Sequence, residues 1–311
     1  MQFSFKIPAN KAFDTLGFGT NAVDFLIVVP EYPQFDSKIK LNEYIQAAGG
    51  ATASAMVGLQ RLGFKTAYAG RFGSDQAGEF GLQTLREEAV NTDFCEIIPN
   101  VKTQIAFILI DGQTGERTVI WDRDERLGYR EEEAPLAAAG KCKVFHTDAH
   151  DPQACAAMAR AARDSGAVVS LDVDNVYDGI EELLPLTDVL ISSSEFPHKL
   201  TGIADERTAL LEIKSRYGCA IVGKTKGVEG CLIYANGEFL TADSYEVPGG
   251  CRDTTGAGDA FHAGFIYGLL AGEEIETSMK IANAVAALKC RKLGARTSLP
   301  DKAELKALLE S

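Results

Sequence analysis

Asp253-Thr254-Thr255-Gly256-Ala257-Gly258-Asp259 runs directly into an apolar stretch of helical spacing at 260–270. Two glycines at a helix start let the backbone approach a ligand closely. The unpaired N–H groups of the first turn, reinforced by the helix dipole, then make a site for phosphate oxygens. Asp259 falls in that turn, where the dipole favours its carboxylate, and a carboxylate beside a bound phosphate can take the proton of an incoming hydroxyl. A plainer reading of the same residues makes Asp253 a helix cap, the glycines a tight turn and Asp259 a complement to the dipole.

Outward from this motif, short apolar runs alternate with helical patterns. Runs at 16–19, 66–69, 144–146, 168–171, 189–191 and 220–222 read as buried strands, and stretches at 51–62, 77–88, 153–164, 208–217 and 257–270 as covering helices. The alternation predicts an α/β fold, a parallel sheet with helices on both faces. Two regions break the rhythm, 27–46 and 104–121, the second containing the turn Asp111-Gly112-Gln113-Thr114-Gly115. Both read as hairpins that form a small β lid over the end of the sheet where ligands of doubly wound folds bind. With no long linker, repeat or biased segment, residues 1–311 are expected to form one main domain carrying these insertions.

Charge narrows the partners. The 311 residues include 31 Lys+Arg against 44 Asp+Glu, a net charge of −13, which disfavours nucleic acid and anionic membrane surfaces. No apolar run reaches the ~18 residues of a membrane span, and residues 1–10 lack the apolar core of a secretory signal. The seven cysteines never form C-x-x-C, and the four histidines do not join them at finger spacing, so a cytoplasmic location without structural zinc is expected.

A second glycine block precedes the first in the chain. Gly49-Gly50 opens the helix at 51–62, and Tyr68-Ala69-Gly70-Arg71-Phe72-Gly73-Ser74-Asp75-Gln76-Ala77-Gly78 supplies a strand, a loop and another helix start. Neither block has the G-x-G-x-x-G spacing after a first strand that a dinucleotide fingerprint needs. Together they resemble the amino- and carboxy-terminal signatures of the ribokinase-like carbohydrate kinases, the phosphofructokinase-B family, and the resemblance runs over nearly the whole chain. It implies a three-layer α/β/α sandwich with a small β-sheet lid, and transfer of the ATP γ-phosphate, with Mg²⁺, to a hydroxyl of a small sugar. Asp259 is then the base, and Gly256, Ala257 and Gly258 form the anion hole, which stabilises the loose transition state of phosphoryl transfer.

The resemblance implies further roles. Asp24, following Gly19, binds sugar hydroxyls through its two acceptor oxygens, and Gly49 and Gly50 let the backbone approach the sugar. Thr225, Gly227 and Gly230 belong to a nucleotide-side loop, and Asn283 lies near the adenine. The alternatives are a solvated turn acid, a tight helix start, a strand-end turn and an ordinary polar helix residue. Ser54 stands where family members often have Asn, and Ser192-Ser193-Ser194-Glu195 replaces the usual N-x-x-E. Glu195 is expected to reach Mg²⁺ through water, or else to cap a helix. Asp253 lies in the region where many members hold a monovalent cation. Here 289–298 is rich in Lys and Arg, so either a fixed ammonium replaces that ion and potassium dependence is weak, or the basic cluster decorates a helix end.

Arg123 is a candidate for binding an anionic or polyhydroxylated acceptor, the alternative being a pair with Asp122, Asp124 or Glu125. Phe25, Tyr32 and Phe107 are candidate pocket walls or lid packing. No aromatic sandwich is evident, which favours a free sugar, a ketose such as fructose or a sugar acid, over a nucleoside. The reading from another class is a non-catalytic sensor of sugar or nucleotide on the same scaffold. The intact Asp259 argues for catalysis. Exposed strand edges in the lid predict a homodimer formed through it.

Overall fold

The computed structural model describes residues 1–113 and 117–311. Thr114 and Gly115, the end of the expected turn, lie outside the described residues. In chain order the strands are β1 (Phe13–Phe18), β2 (Ala22–Val29), β3 (Glu43–Gly49), β4 (Thr66–Gly73), β5 (Asn91–Ile98), β6 (Ile105–Asp111), β7 (Arg117–Asp122), β8 (Cys142–Thr147), β9 (Val168–Val173), β10 (Val189–Ser192), β11 (Ile221–Thr225), β12 (Cys231–Ala235) and β13 (Glu238–Ala242). The helices are α1 (Ala51–Arg61), α2 (Gln76–Glu87), α3 (Leu136–Ala139), α4 (Pro152–Asp164), α5 (Phe196–Thr201), α6 (Glu206–Tyr217), α7 (Ala257–Ala271), α8 (Ile275–Lys289) and α9 (Lys302–Leu309).

Nine strands make the main sheet in the order β13-β12-β11-β10-β9-β8-β1-β4-β5. Its ladder is parallel except at one edge, where β12 runs antiparallel to β11 and β13 to β12. The parallel strands are buried on both faces, which is why they read as short continuous apolar runs without alternation. One face packs on α1, α2, α7 and α8 through Met56, Leu59, Leu85, Phe261, Phe265 and Val285. The other packs on α4, α5 and α6 through Phe145, Met158, Phe196, Leu210 and Val222. The three-layer α/β/α order is therefore present. Asp75 and Asp205 cap α2 and α6 by accepting from the N–H groups of Gly78 and Thr208.

A separate four-stranded sheet has the order β3-β2-β6-β7. It comprises two antiparallel pairs, β2 with β3 and β6 with β7, joined by parallel pairing of β2 and β6. Its strands reach beyond the expected 27–46, starting at Ala22 and ending at Gly49, because only a three-residue turn separates β2 from β1. This difference puts both Asp24 and Gly49 on the lid. Leu26, Ile108 and Ile110 pack with Leu293, so the lid face carrying them and Asp24 looks onto the body. Among the described residues no helix is long and apolar enough to cross a membrane.

The main sheet branches at β1, which pairs with β4 on one side and β8 on the other. Ligands of open α/β sheets bind outside the carboxyl ends of the strands at such a switch point. The loops after β1, β8, β9, β10 and β11 open there, and they carry Thr20, Asp148, Asp174, Glu195 and Lys226 respectively.

Candidate active site

The glycine motif forms the start of α7. Gly256 is its N-terminal flanking residue at φ 78°, with no side-chain cap. A Cβ there would lie 2.7 Å from the Ala295 Cβ and 2.9 Å from its Cα, so both the left-handed backbone and the packing require glycine. At Gly258 a Cβ would meet nothing within 4 Å, so this position faces open space. The Ala257 N–H is bonded to the Thr254 carbonyl at 3.1 Å, which leaves Gly258 and Asp259 as the turn's outward N–H groups.

Asp253 does not cap α7. Its carboxylate accepts from the N–H groups of Thr255 and Gly294, each at 2.8 Å, and so ties the motif to the carboxy-terminal loop. The fully buried Lys289 donates to the Asp253 carbonyl at 2.8 Å and lies 3.7 Å from its carboxylate. The basic residues at 289–298 thus do more than decorate a helix end, since one ammonium is fixed against Asp253 at the start of the glycine motif.

Asp259 projects from the first turn of α7 into a wall of carboxylates. Loss of solvation first, then the charges of Asp172, Asp148 and Asp24, push its carboxyl up to about 7, while His262 pulls the other way. His262 stands one turn further along α7, with Nε2 3.2 Å from Asp172 Oδ1. Behind it His146 is held neutral, its pKa lowered to about 4 by burial and by His262. A carboxyl near neutrality can hold or release a proton at working pH, as a general base must.

Where β3 passes into α1, Asp24, Gly49, Gly50 and Ser54 come together. A Cβ on Gly49 would fall 2.1 Å from Asp24 Oδ2, and Gly50 adopts φ 87° where the chain leaves β3 for α1. Burial raises the Asp24 pKa to about 6, offset in part by Arg296. Ser54 is fully buried, and its hydroxyl accepts from Arg296 Nε at 3.2 Å, so it anchors that guanidinium. Asp148, unnoticed in the sequence, accepts from the Thr20 N–H at 2.7 Å, the Thr20 hydroxyl at 2.6 Å and the Thr52 hydroxyl at 2.9 Å. It fastens the β1 turn to α1. A lone Asp after a strand gives no sequence signal for that role.

Arg123 has partners of its own. Its guanidinium pairs with Asp151 at 3.0 Å and donates to the Leu127 carbonyl, so its partner is Asp151 and not Asp122, Asp124 or Glu125. Phe25 and Phe107 stack on each other at 5.1 Å on the lid face opposite Asp24, as alternation along β2 requires. They do not wall the pocket, and Tyr32 is 47% exposed. Trp121 is the lid aromatic on the pocket face. It lies in one row with Asp24, across Ala106, and meets the ring of His150.

The remaining predicted positions lie on α5, on the β11–β12 turn and on α8. Thr225 closes β11, with Gly227 at φ 57° and Gly230 at φ 81° turning into β12. The Asn283 amide donates to the carbonyls of Ala242 and Asp243, each at 3.0 Å, and so supports the end of β13. Glu195 is exposed at the start of α5 and makes no capping bond, which leaves its carboxylate open to solvent. Among the described residues no group of three or more His, Cys, Asp or Glu is placed to hold a metal ion by itself.

Comparison with known proteins identifies the family. Residues 17–302 match the family described as pfkB family carbohydrate kinase. A nucleoside kinase of Methanothermobacter thermautotrophicus is 25% identical over 296 residues, covering 94% of each chain. An uncharacterized sugar kinase of Archaeoglobus fulgidus is 32% identical over 253 residues, 78% of this chain and 98% of that one. The structure of Arabidopsis thaliana ribokinase complexed with ribose and ATP superposes with a TM-score of 0.81 at 22% identity, covering 96% and 99% of the two chains. The protein belongs to the pfkB family of carbohydrate kinases, phosphotransferases that use an alcohol group as acceptor.

Proposed function

We propose that this chain transfers the γ-phosphate of ATP to a hydroxyl of a small uncharged sugar, a ketose such as fructose. The observation that carries the reading is Asp259, a carboxylate poised near neutrality beside an outward-facing glycine turn and in the field of the lid's Asp24. The phosphoryl group leaves through a loose transition state, so positioning and charge stabilisation dominate. Asp259 takes the acceptor proton, and the α7 turn holds the phosphoryl oxygens. The buried Thr255 hydroxyl, which has no partner, and the open space at Gly258 fit a bound phosphate. The unbonded Glu195 suits a water-mediated contact to Mg²⁺, which neutralises charge on the phosphates when it accompanies the nucleotide.

The charges of Asp172, Asp148 and Asp24 all act at Asp259, which makes a sugar acid a poor fit. Trp121, in the same row as Asp24, favours a second reading in which the acceptor is a nucleoside whose base stacks on the indole while Asp24 holds the ribose. ATP consumption with D-fructose, D-ribose, D-gluconate, adenosine and inosine separates these readings. Binding without turnover throughout would return the chain to the sensor class.

The Lys289 ammonium held against Asp253 supports independence from monovalent cations. Adding potassium to a potassium-free assay is expected to change the rate less than about twofold, whereas Lys289→Met should lower kcat more than about tenfold. A large potassium stimulation of the wild type would sink this assignment.

The outer lid face exposes Tyr44, Phe107 and Ile120 at 50%, 41% and 56%, next to the free edges of β3 and β7. Such a patch supports a homodimer formed through the lid. Phe107→Asp is expected to convert a dimeric solution mass to a monomeric one. A monomeric wild type would refute the dimer.

A further inference from the structure

Arg296 is the least explained charge in the molecule. It is 7% exposed, on the loop that also holds Gly294 and Ala295 against the anion motif. Nε donates to the Ser54 hydroxyl and Nη2 to the Gly49 carbonyl, whereas Nη1 is buried without a partner. A buried guanidinium nitrogen left unbonded is costly, and a ligand oxygen is the natural group to complete it.

The carboxylate that Arg296 feels most strongly is Asp24, and Arg296 is the strongest opposing charge at Asp24. The two meet at Gly49, whose carbonyl accepts from Arg296 Nη2 and on which a Cβ would lie 2.1 Å from Asp24 Oδ2, yet no ion pair joins them. The Asp24 carboxylate only accepts hydrogen bonds and the Arg296 guanidinium only donates them. A hydroxyl does both. A carboxylate placed there would meet Asp24, and an ammonium would meet Arg296. Ser54, shorter than the Asn common in the family, gives the guanidinium both space and an anchor.

We infer that Asp24 and Arg296 form a split clamp for one neutral hydroxyl of the acceptor, which donates to the Asp24 carboxylate and accepts from Arg296 Nη1. The inference rests on the acceptor-kinase reading, in which Asp24 holds acceptor hydroxyls. It adds Arg296 as a specificity-determining residue and restricts that subsite to hydroxyl groups, against carboxylate and amino replacements.

Two measurements test it. With the best acceptor from the panel above, Arg296→Gln is expected to raise the acceptor KM about 30-fold while the ATP KM stays within about twofold, and Arg296→Lys should recover part of the loss. Wild type should reject the acceptor analogue that lacks the clamped hydroxyl, and Arg296→Gln should no longer distinguish it. The second measurement needs no acceptor. Carbon-13 titration of Asp24 in the ligand-free protein should give a value near 6 in wild type and a higher one in Arg296→Gln, where the opposing cation is lost and Asp253 and Lys289 remain. A folded Arg296→Gln with unchanged acceptor KM, or an Asp24 titration that does not move in either Arg296 variant, overturns the clamp. If no acceptor in the panel is phosphorylated, the kinase reading fails on that result, and the titration still decides whether Arg296 and Asp24 are coupled.

Discussion

Asp259→Asn is expected to reduce kcat by about 10³-fold while leaving ATP binding intact, because general-base assistance contributes on the order of 10²–10⁴. The amide keeps the shape of the side chain and removes the proton acceptor. In wild type, kcat/KM should rise with pH through about 7 as Asp259 ionises. Asp172→Asn should move that limb to lower pH, since it removes the largest neighbouring negative charge acting on Asp259.

The same substitution has an opposite signature in stability. The Asp259 pKa is raised on folding, to about 7 from its ordinary value of 3.8, so the folded state binds more protons between those values and loses stability as pH rises through them. Asp259→Asn should therefore melt above wild type at pH 8, by about 1–3 kcal/mol after allowance for solvent screening, with the gap closing toward pH 4. An inactive variant that melts below wild type at pH 8 would mean disruption of the fold and not loss of a base. Equal turnover by wild type and variant would remove the assigned base altogether.

Gly256→Val should be nearly as damaging, and by a different route. The position needs φ 78°, and a Cβ would collide with Ala295 backbone and side chain. Strain of about 1–3 kcal/mol and a displaced turn should combine to lower kcat/KM about 10²-fold. Gly258→Ala is the informative control. Its Cβ enters open space, so thermal stability should hold while the ATP KM rises. If Gly256→Val kept full activity with an intact melting transition, the α7 turn would not be the phosphate site.

Much of the site was legible in linear order because its parts are local. The Asp253 to Asp259 motif carries its own turn, helix start and dipole, and these depend on bonds within a few residues. Parallel strands buried on both faces announced themselves as apolar runs. β5, an edge strand with polar residues between apolar ones, and β13 passed unread because partial burial weakens the pattern. The reach of the lid was also underestimated, since the β2 apolar run continues across the boundary where sheet pairing changes.

Arg123 shows the limit of reading chemistry from residue type. Its carboxylate partner, Asp151, is 28 residues away and arrives only when the β8 loop folds against the lid. Arg296 is the converse case. In the sequence it is one of several basic residues near the carboxy-terminus, and 242 residues separate it from Ser54.

Sequence by itself determined the α/β class and the glycine turn that starts α7 with Asp259 in its first turn, because backbone conformation, dipole and hydrophobic periodicity act over short stretches of chain. Tertiary structure alone decided which charges face one another: Lys289 against Asp253, Asp172 and Asp148 around Asp259, and Arg296 opposite Asp24. Those pairings depend on distance through space and on loss of solvent, and neither quantity is written in residue order.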